Sequence, residues 1–330
     1  MQGCSVKSRI FAAAVLSACA VTVSADPLWQ SDLNWLKTMV VAARQTDYSG
    51  VFLYQYNDHT ESFHVAHIVD SGDEYSRLNG LDGARREIIR KNDQAWCYVG
   101  DNKAKKLGRS GGRRFPVILP EQFSMLNENY HIKQTEEGRV AGYHAHAVMF
   151  KPKDTLRYGH RMWAHSDSGL LLKAEVLDER GQVVEQNTFI TLTLGRNVDR
   201  SWLKANQQDA ASLEHATPHE EMSQPESLSN ASGWQVGILP PGFKKVTEMR
   251  RSWHGKNGQV THLVFSDGLA SISVFIEPLS GAQEDRPALS SRGAIQVYSK
   301  VNGSYLLTVV GEAPPRTVMQ IADSVRYAGQ

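Results

Sequence analysis

The residues Gly108-Arg109-Ser110-Gly111-Gly112 fit the G-x-S-x-G spacing of a hydrolase elbow. That chemistry needs an apolar strand before the serine and a helix after it, so that the hydroxyl stands exposed on a strained turn. The flanks here are KAKKL and RRFPV, which supply neither, so the match reads as coincidence. His144 and His146 lie two apart in an apolar run and point the same way if that run is a strand. Two ligands do not complete a zinc site, which takes three or four protein donors. His64 and His67 have opposite strand parity. Asp178 and Glu179 sit in a turn, where acids are expected anyway. Cys97 has Trp96 and Tyr98 as neighbours and nothing to stabilise a thiolate, so it is expected to be buried and inert. These patterns point to no catalytic residue, no metal and no cofactor.

One segment is strongly basic. Lys103, Lys105, Lys106, Arg109, Arg113 and Arg114 fall within twelve positions, with Asp101 the only acid nearby. Such a run is either a solvated surface loop or an anion site, where glycine backbone and cations meet phosphate groups. It lacks the Lys-Ser/Thr and following helix of a nucleotide-binding loop.

The chain as a whole does not share that basic character. Its 330 residues hold 36 Lys plus Arg against 35 Asp plus Glu, a formal charge of +1, which offers no general electrostatic reason to bind nucleic acid. With 41% hydrophobic residues it is no disordered chain, and a mean hydropathy of −0.39 is wrong for a polytopic membrane protein. The length favours two domains.

Residues 1–25 read as an export signal. Lys7 and Arg9 precede an apolar run from Ile10 to Val23, and Val23-Ser24-Ala25 is a small-residue cleavage site. The run is too short to span a hydrocarbon core, which takes roughly 20 helical residues. Export to the periplasm with cleavage before Asp26 is the expectation. Leu16-Ser17-Ala18-Cys19 offers a competing reading as a lipoprotein box, with Cys19 the lipidated terminus. Of the three Cys, Cys4 and Cys19 lie in the signal, which leaves Cys97 and no internal disulfide.

A composition break over 206–232, rich in Ser and acids and poor in bulky apolar residues, marks a flexible linker. It divides the chain into domains at 26–205 and 233–330. The first opens with a helix over about Pro27–Thr46, since Trp29, Leu33, Leu36, Val40 and Ala43 recur at spacings of three and four. Strands follow at 50–56, 61–69, 84–90, 94–100 and 113–119. Four more come after an irregular stretch, the last of them joined by turns at 166–169 and 178–181. With no helices interleaved, this is an antiparallel meander whose apolar face the lone helix must cover.

The second domain has a strand running into a Pro-Pro-Gly turn over 234–243, two strands around the turn Ser266-Asp267-Gly268 over 259–278, a hairpin across Asn302-Gly303, and a final helix after Pro314-Pro315 that buries Val318, Ile321, Ala322 and Val325. The fold class is α+β: a curved antiparallel half-barrel sheet over a helix, plus a smaller antiparallel sheet-and-helix domain. Phe52, Tyr54 and Tyr56 share one face of a strand, as Trp96 and Tyr98 share a face of another. These five either belong to an ordinary core or line an apolar cleft that accepts an acyl chain.

The segments YSGVFLYQY, LDGARREIIRKND, RYGHRMW through VLDERGQVVEQ, WQVGILPPGF, LVFSDGLASISVFIE and VVGEAPPRTVMQIADSVRY, in this order, resemble the MucB/RseB family of periplasmic sigma-E regulators. The resemblance spans both domains; the linker and the basic segment do not map onto it. It implies a lipoprotein-carrier-like half-barrel joined to a smaller domain. It further implies binding to the periplasmic domain of a transmembrane anti-sigma factor, protection of that factor from regulated proteolysis, release on sensing lipid or a lipopolysaccharide fragment, and no catalysis. A homo-oligomer is compatible with it. The rival reading is a periplasmic lipoprotein or lipid carrier using the same cleft.

Overall fold

The computed structural model describes residues 27–92, 94–99, 103–107, 115–120, 123–202, 226–227, 232–252, 259–279 and 286–328. The export signal, the motif around Ser110 and most of the 206–232 segment lie outside the described residues.

Helix α1 (Pro27–Gln45) forms where the periodicity predicts it. Among its described side chains the buried ones are Leu36, Met39, Ala42 and Ala43, one face at helical spacing. That face lies on an eleven-stranded antiparallel sheet: β1 (Tyr48–Tyr56), β2 (His59–Asp70), β3 (Asp73–Gly80), β4 (Arg86–Lys91), β5 (Gln94–Val99), β6 (Lys103–Leu107), β7 (Tyr130–Val140), β8 (Tyr143–Pro152), β9 (Gly159–His165), β10 (Leu171–Leu177) and β11 (Val183–Leu194). The strand order is β6-β5-β4-β3-β2-β1-β11-β10-β9-β8-β7. Two meanders therefore meet where β1 pairs with β11, and the chain crosses from one edge of the sheet to the other between β6 and β7. A short helix, α2 (Ser124–Asn129), lies on that crossing.

Four local expectations change. The segment expected as a strand over 113–119 is, over its described part, turn and irregular backbone; Pro116 cannot donate to a ladder, and Phe115 and Leu119 insert into the core instead. Strands β3 and β7 form where polar sequence hid them, and β7, an edge strand, carries five consecutive exposed residues from Lys133 to Glu137. Lys103–Leu107 is the edge strand β6 rather than loop. Cys97, opposite Ile88 and Lys105, is half-buried rather than buried.

The second sheet holds β12 (Glu226–Ser227), β14 (Lys244–Ser252), β15 (Gln259–Ser266), β16 (Ser271–Pro278), β17 (Ala288–Arg292), β18 (Ile295–Asn302) and β19 (Tyr305–Glu312), in the order β12-β14-β15-β16-β19-β18-β17. Helix α3 (Pro315–Ser324) starts at a proline and buries Val318, Ile321 and Ala322 against Leu263, Ile272, Val274, Leu307 and Val309. Val325 is buried too, but as the first residue of β20 (Val325–Tyr327), which pairs with β13 (Trp234–Val236). The hairpin between β18 and β19 pairs Asn302 with Tyr305, so its two-residue turn is Gly303-Ser304, with Gly303 at φ +59°.

Candidate functional site

The register decides which aromatic residues share a face. Phe52 stands opposite both Phe63 and Phe189; Val65, next but one to Phe63, leads through Leu78 and Ile88 to Cys97. Directly opposed residues lie on the same side of a sheet. Phe52, Tyr54 and Tyr56 are therefore on the α1 side with Cys97, whereas Trp96 and Tyr98 are on the other side. The sequence could pair the members within each set, but only the register shows that the two sets are apart.

On the α1 side, Phe52, Phe63, Phe115 and Phe189 form one aromatic cluster, with centroids 5.0–6.0 Å apart for Phe52 and its three neighbours. Phe52 and Phe189 are buried, so this cluster is the floor of the domain. Each such side chain contributes about 1.5–3 kcal/mol relative to exposure. Beside it, Met39, Val40 and Ala43 of α1 face Pro116, Val117, Ile118, Leu119 and Leu171 across an apolar groove. The groove is apolar because the irregular 116–119 segment presents side chains, not a ladder, to the helix. Lys103, Lys105 and Lys106 stand in β6 opposite Val99, Cys97 and Trp96. Arg109, Arg113 and Arg114 lie outside the described residues.

Tyr54 and Tyr56 continue along the same face to its end, where the second domain closes it. Tyr54 donates to Glu185 at 3.2 Å, and Glu185 also accepts the Ala294 backbone N–H at 3.0 Å. Burial raises the Glu185 carboxyl above its ordinary range. Two strands across from Glu185, just before β9, Arg157 Nη1 meets Asp267 Oδ2 at 2.5 Å, and both side chains are 0% exposed. Asp267 is fully satisfied: Oδ2 also accepts Tyr130 Oη at 2.9 Å, and Oδ1 accepts the backbone N–H groups of Leu269 and Ala270. Arg157 further bonds Asp154 and the Pro241 carbonyl, with its guanidinium between the rings of Tyr130 and Phe243. His160 lies alongside, half-buried; its Nε2 is shut off from solvent with no partner, and desolvation of the ring brings its pKa down to about 4.

Two turns of the second domain seat against α2. Gly242 has φ +81°, and a Cβ there would lie 2.1 Å from Asn129 Oδ1; Gly268 has φ +104°, with Leu126 Cδ2 2.9 Å from its Cβ position. Only glycine allows both the backbone conformation and the approach. At the start of α3, Thr317 Oγ1 donates to the Leu156 carbonyl at 2.9 Å, and Arg316 bonds the Thr155 carbonyl and Glu179.

No reading of the sequence singled out this junction. Asp267 is simply a turn residue there, yet the segments RYGHRMW, VLDERGQVVEQ, ILPPGF and FSDGLAS, which carry the family resemblance, are the ones that meet here. The histidines are engaged elsewhere: His67 with Thr46 O and Glu74, His64 with Ser49, and His146 beside Trp35 and Glu137. Among the described residues no cluster of three or more His, Cys, Asp or Glu is placed to hold a metal ion, and no helix is long and apolar enough to cross a membrane.

Comparison with known proteins agrees with this two-part architecture. A family model described as the MucB/RseB N-terminal domain matches residues 31–207, and one described as the MucB/RseB C-terminal domain matches residues 228–326. The sigma factor AlgU regulatory protein MucB of Pseudomonas aeruginosa is 33% identical over 298 residues, covering 89% of this chain and 90% of that protein. The sigma-E factor regulatory protein RseB of Haemophilus influenzae is 27% identical over 294 residues, covering 88% and 90%. Among solved structures, the Pseudomonas aeruginosa MucA/MucB complex is similar with a TM-score of 0.73 at 30% identity, covering 91% of this chain and 100% of that one. A crystal structure of MucB is similar with a TM-score of 0.61 at 28% identity, covering 90% and 98%. The family is one of regulatory proteins and not of enzymes.

Proposed function

The chain belongs to the MucB/RseB family, and from that membership we propose that it binds the periplasmic domain of a membrane-spanning anti-sigma factor. The observation that carries this reading is the likeness, over 91% of the chain, to a MucB bound to MucA. In this reading the exported protein shields the anti-sigma factor from regulated proteolysis. It lets go when a lipid or lipopolysaccharide fragment occupies the first domain.

In this reading an acyl chain enters between α1 and Pro116–Leu119 and runs along the neighbouring Phe52 cluster, with Tyr54 and Tyr56 further along the same face. The basic segment holding Lys103, Lys105, Lys106, Arg109, Arg113 and Arg114 meets the phosphates. Trp96 and Tyr98, on the far side of the sheet, do not touch a chain bound there. The switch is a linked equilibrium: the lipid releases the partner only if it prefers the partner-free conformation, and about 1.4 kcal/mol of preference gives a tenfold shift.

The test is capture of the anti-sigma factor's periplasmic domain on the immobilised protein, with and without lipopolysaccharide. Capture that falls as lipid is added is the expected result. Undiminished capture at saturating lipid defeats the switch, and no capture at all defeats the regulatory reading.

A further inference from the structure

The domain junction is graded from one end to the other. His160, Val176, Glu185, Tyr56 and His59 are successive partners across β9, β10, β11, β1 and β2, so the two ends of this row are roughly 19 Å apart at the usual strand spacing. At the His160 end stands the wholly buried Arg157–Asp267 pair. Next comes Gln296 Nε2 donating to Tyr158 Oη at 3.4 Å, both residues buried, and then Glu185 with the Ala294 N–H. At the Tyr56 end the tie is Glu61, whose carboxylate is shared by Arg292 of the second domain and Arg86 of the first. The two arginine side chains are 53% and 46% exposed. Exposed pairs of this kind hold weakly, whereas breaking a buried pair is strongly unfavourable. The junction thus has a fixed end and a weak end, and the weak end lies on the α1 side of the sheet, where Glu61 stands opposite Tyr54.

That weak end is built like an occupied anion site. Two guanidiniums converge on one carboxylate, and each lies over an aromatic ring on the α1 side of the sheet: Arg86 over Phe63 at 5.4 Å and Arg292 over Tyr56 at 5.3 Å. Guanidinium forks match phosphate as well as they match carboxylate. Phe63 belongs to the same apolar cluster as Phe52, so an acyl chain lying on that cluster brings its head toward Arg86.

We propose that Arg86 and Arg292 take the first phosphate of an anionic, acyl-bearing ligand, leaving any further phosphates to the basic segment, with Glu61 as the built-in occupant that the headgroup displaces. Because Arg292 comes from the second domain, the exchange loosens the one exposed tie between Glu61 and that domain. Occupancy of the cleft is thereby felt at the β17–β18 turn while the Arg157–Asp267 end stays fixed. This inference rests on the proposed lipid-responsive function and names where its response begins.

The test uses the full chain with lysophosphatidic acid, with a monoacylglycerol as the uncharged control and inorganic phosphate as the headgroup alone. Binding is followed by calorimetry, and the Ala294 amide by hydrogen exchange. Glu61→Gln is expected to bind lysophosphatidic acid roughly tenfold tighter, and Arg86→Met or Arg292→Met at least tenfold weaker, with monoacylglycerol unchanged in all three. The Ala294 amide should exchange faster in the wild-type protein once lysophosphatidic acid is bound. If lysophosphatidic acid binds but these substitutions leave its affinity unchanged, or the amide does not respond, the headgroup site is overturned and the lipid reading stands. If inorganic phosphate alone reproduces the substitution pattern and the exchange, the site is an anion site independent of acyl chains, and the proposal fails in that form. If lysophosphatidic acid does not bind at all, the lipid reading falls and the site with it.

Discussion

Arg157 of the first domain and Asp267 of the second share a hydrogen-bonded ion pair of 2.5 Å from which solvent is wholly excluded. Both charges have left water, so the pair depends on the other partners around it: Asp267 accepts from Tyr130 and two backbone N–H groups, and Arg157 donates from Nε and Nη2 to Asp154 and Pro241. A pair of this kind fixes one geometry between the domains, because no displaced arrangement offers the same partners.

Removing one charge should therefore cost more than removing both. Asp267→Leu or Arg157→Met alone is expected to destabilise the protein by about 3–5 kcal/mol, while the two combined recover part of the loss. Urea unfolding of the two single variants and the double variant, read as a double-mutant cycle, checks this. Additive losses would mean that the two side chains act independently.

His160 makes the same region sensitive to acid. Its folded pKa, about 4, lies below the ordinary 6.5, so the unfolded chain binds more protons between these values. The stability contribution of neutral His160 is complete above pH 6.5 and is lost as the pH falls through that window toward 4, on the order of 3 kcal/mol in all. Glu185, with its carboxyl raised, works in the opposite sense, so the comparison must be with a variant. Stability of His160→Gln measured from pH 7 to pH 4 should fall less steeply than that of the wild-type protein; parallel curves would exclude His160 as the source.

Gly242 and Gly303 both have positive φ but different surroundings. Gly303 has nothing within 4 Å of its Cβ position, so Gly303→Ala should cost only backbone strain, about 1 kcal/mol. Gly242→Ala adds a collision with Asn129 and should cost clearly more, in the range of about 2–4 kcal/mol. Thermal unfolding of the two variants side by side measures the difference, and equal losses would show that the turn shifts freely away from α2.

The two faces of the first sheet should separate in a lipid-binding assay. Val40→Asp puts a charge into the apolar groove and is expected to weaken binding of a fluorescent fatty acid at least tenfold, about 1.4 kcal/mol or more. Tyr98→Ala, on the opposite face, should leave that affinity within twofold of wild type. Phe52→Ala is the third arm: it removes a buried ring and should lower stability by about 3–5 kcal/mol, so its binding is read only under conditions where the variant is folded.

Much of the architecture was legible in the sequence because it rests on local signals. Leu36, Val40 and Ala43 recur at helical spacing and give α1; Pro315 at the start of α3 and the glycine at 303 mark a helix and a hairpin by their backbone preferences alone. Absence of a catalytic constellation could be argued the same way, since Ser110 lacks the flanks that its motif requires. What the sequence left undetermined is long-range. Strands β3 and β7 are polar enough to pass for loops until a neighbouring strand supplies their hydrogen bonds. The parity of Phe52 with Tyr54, and of Trp96 with Tyr98, is local, but the opposition of the two sets follows only from the pairing of β1 through β5. Arg157 and Asp267 are 110 positions apart, and each alone looks like an ordinary charged residue beside a turn. Their burial, and the junction built on it, is decided by docking of the second domain, which removes water from both charges at once.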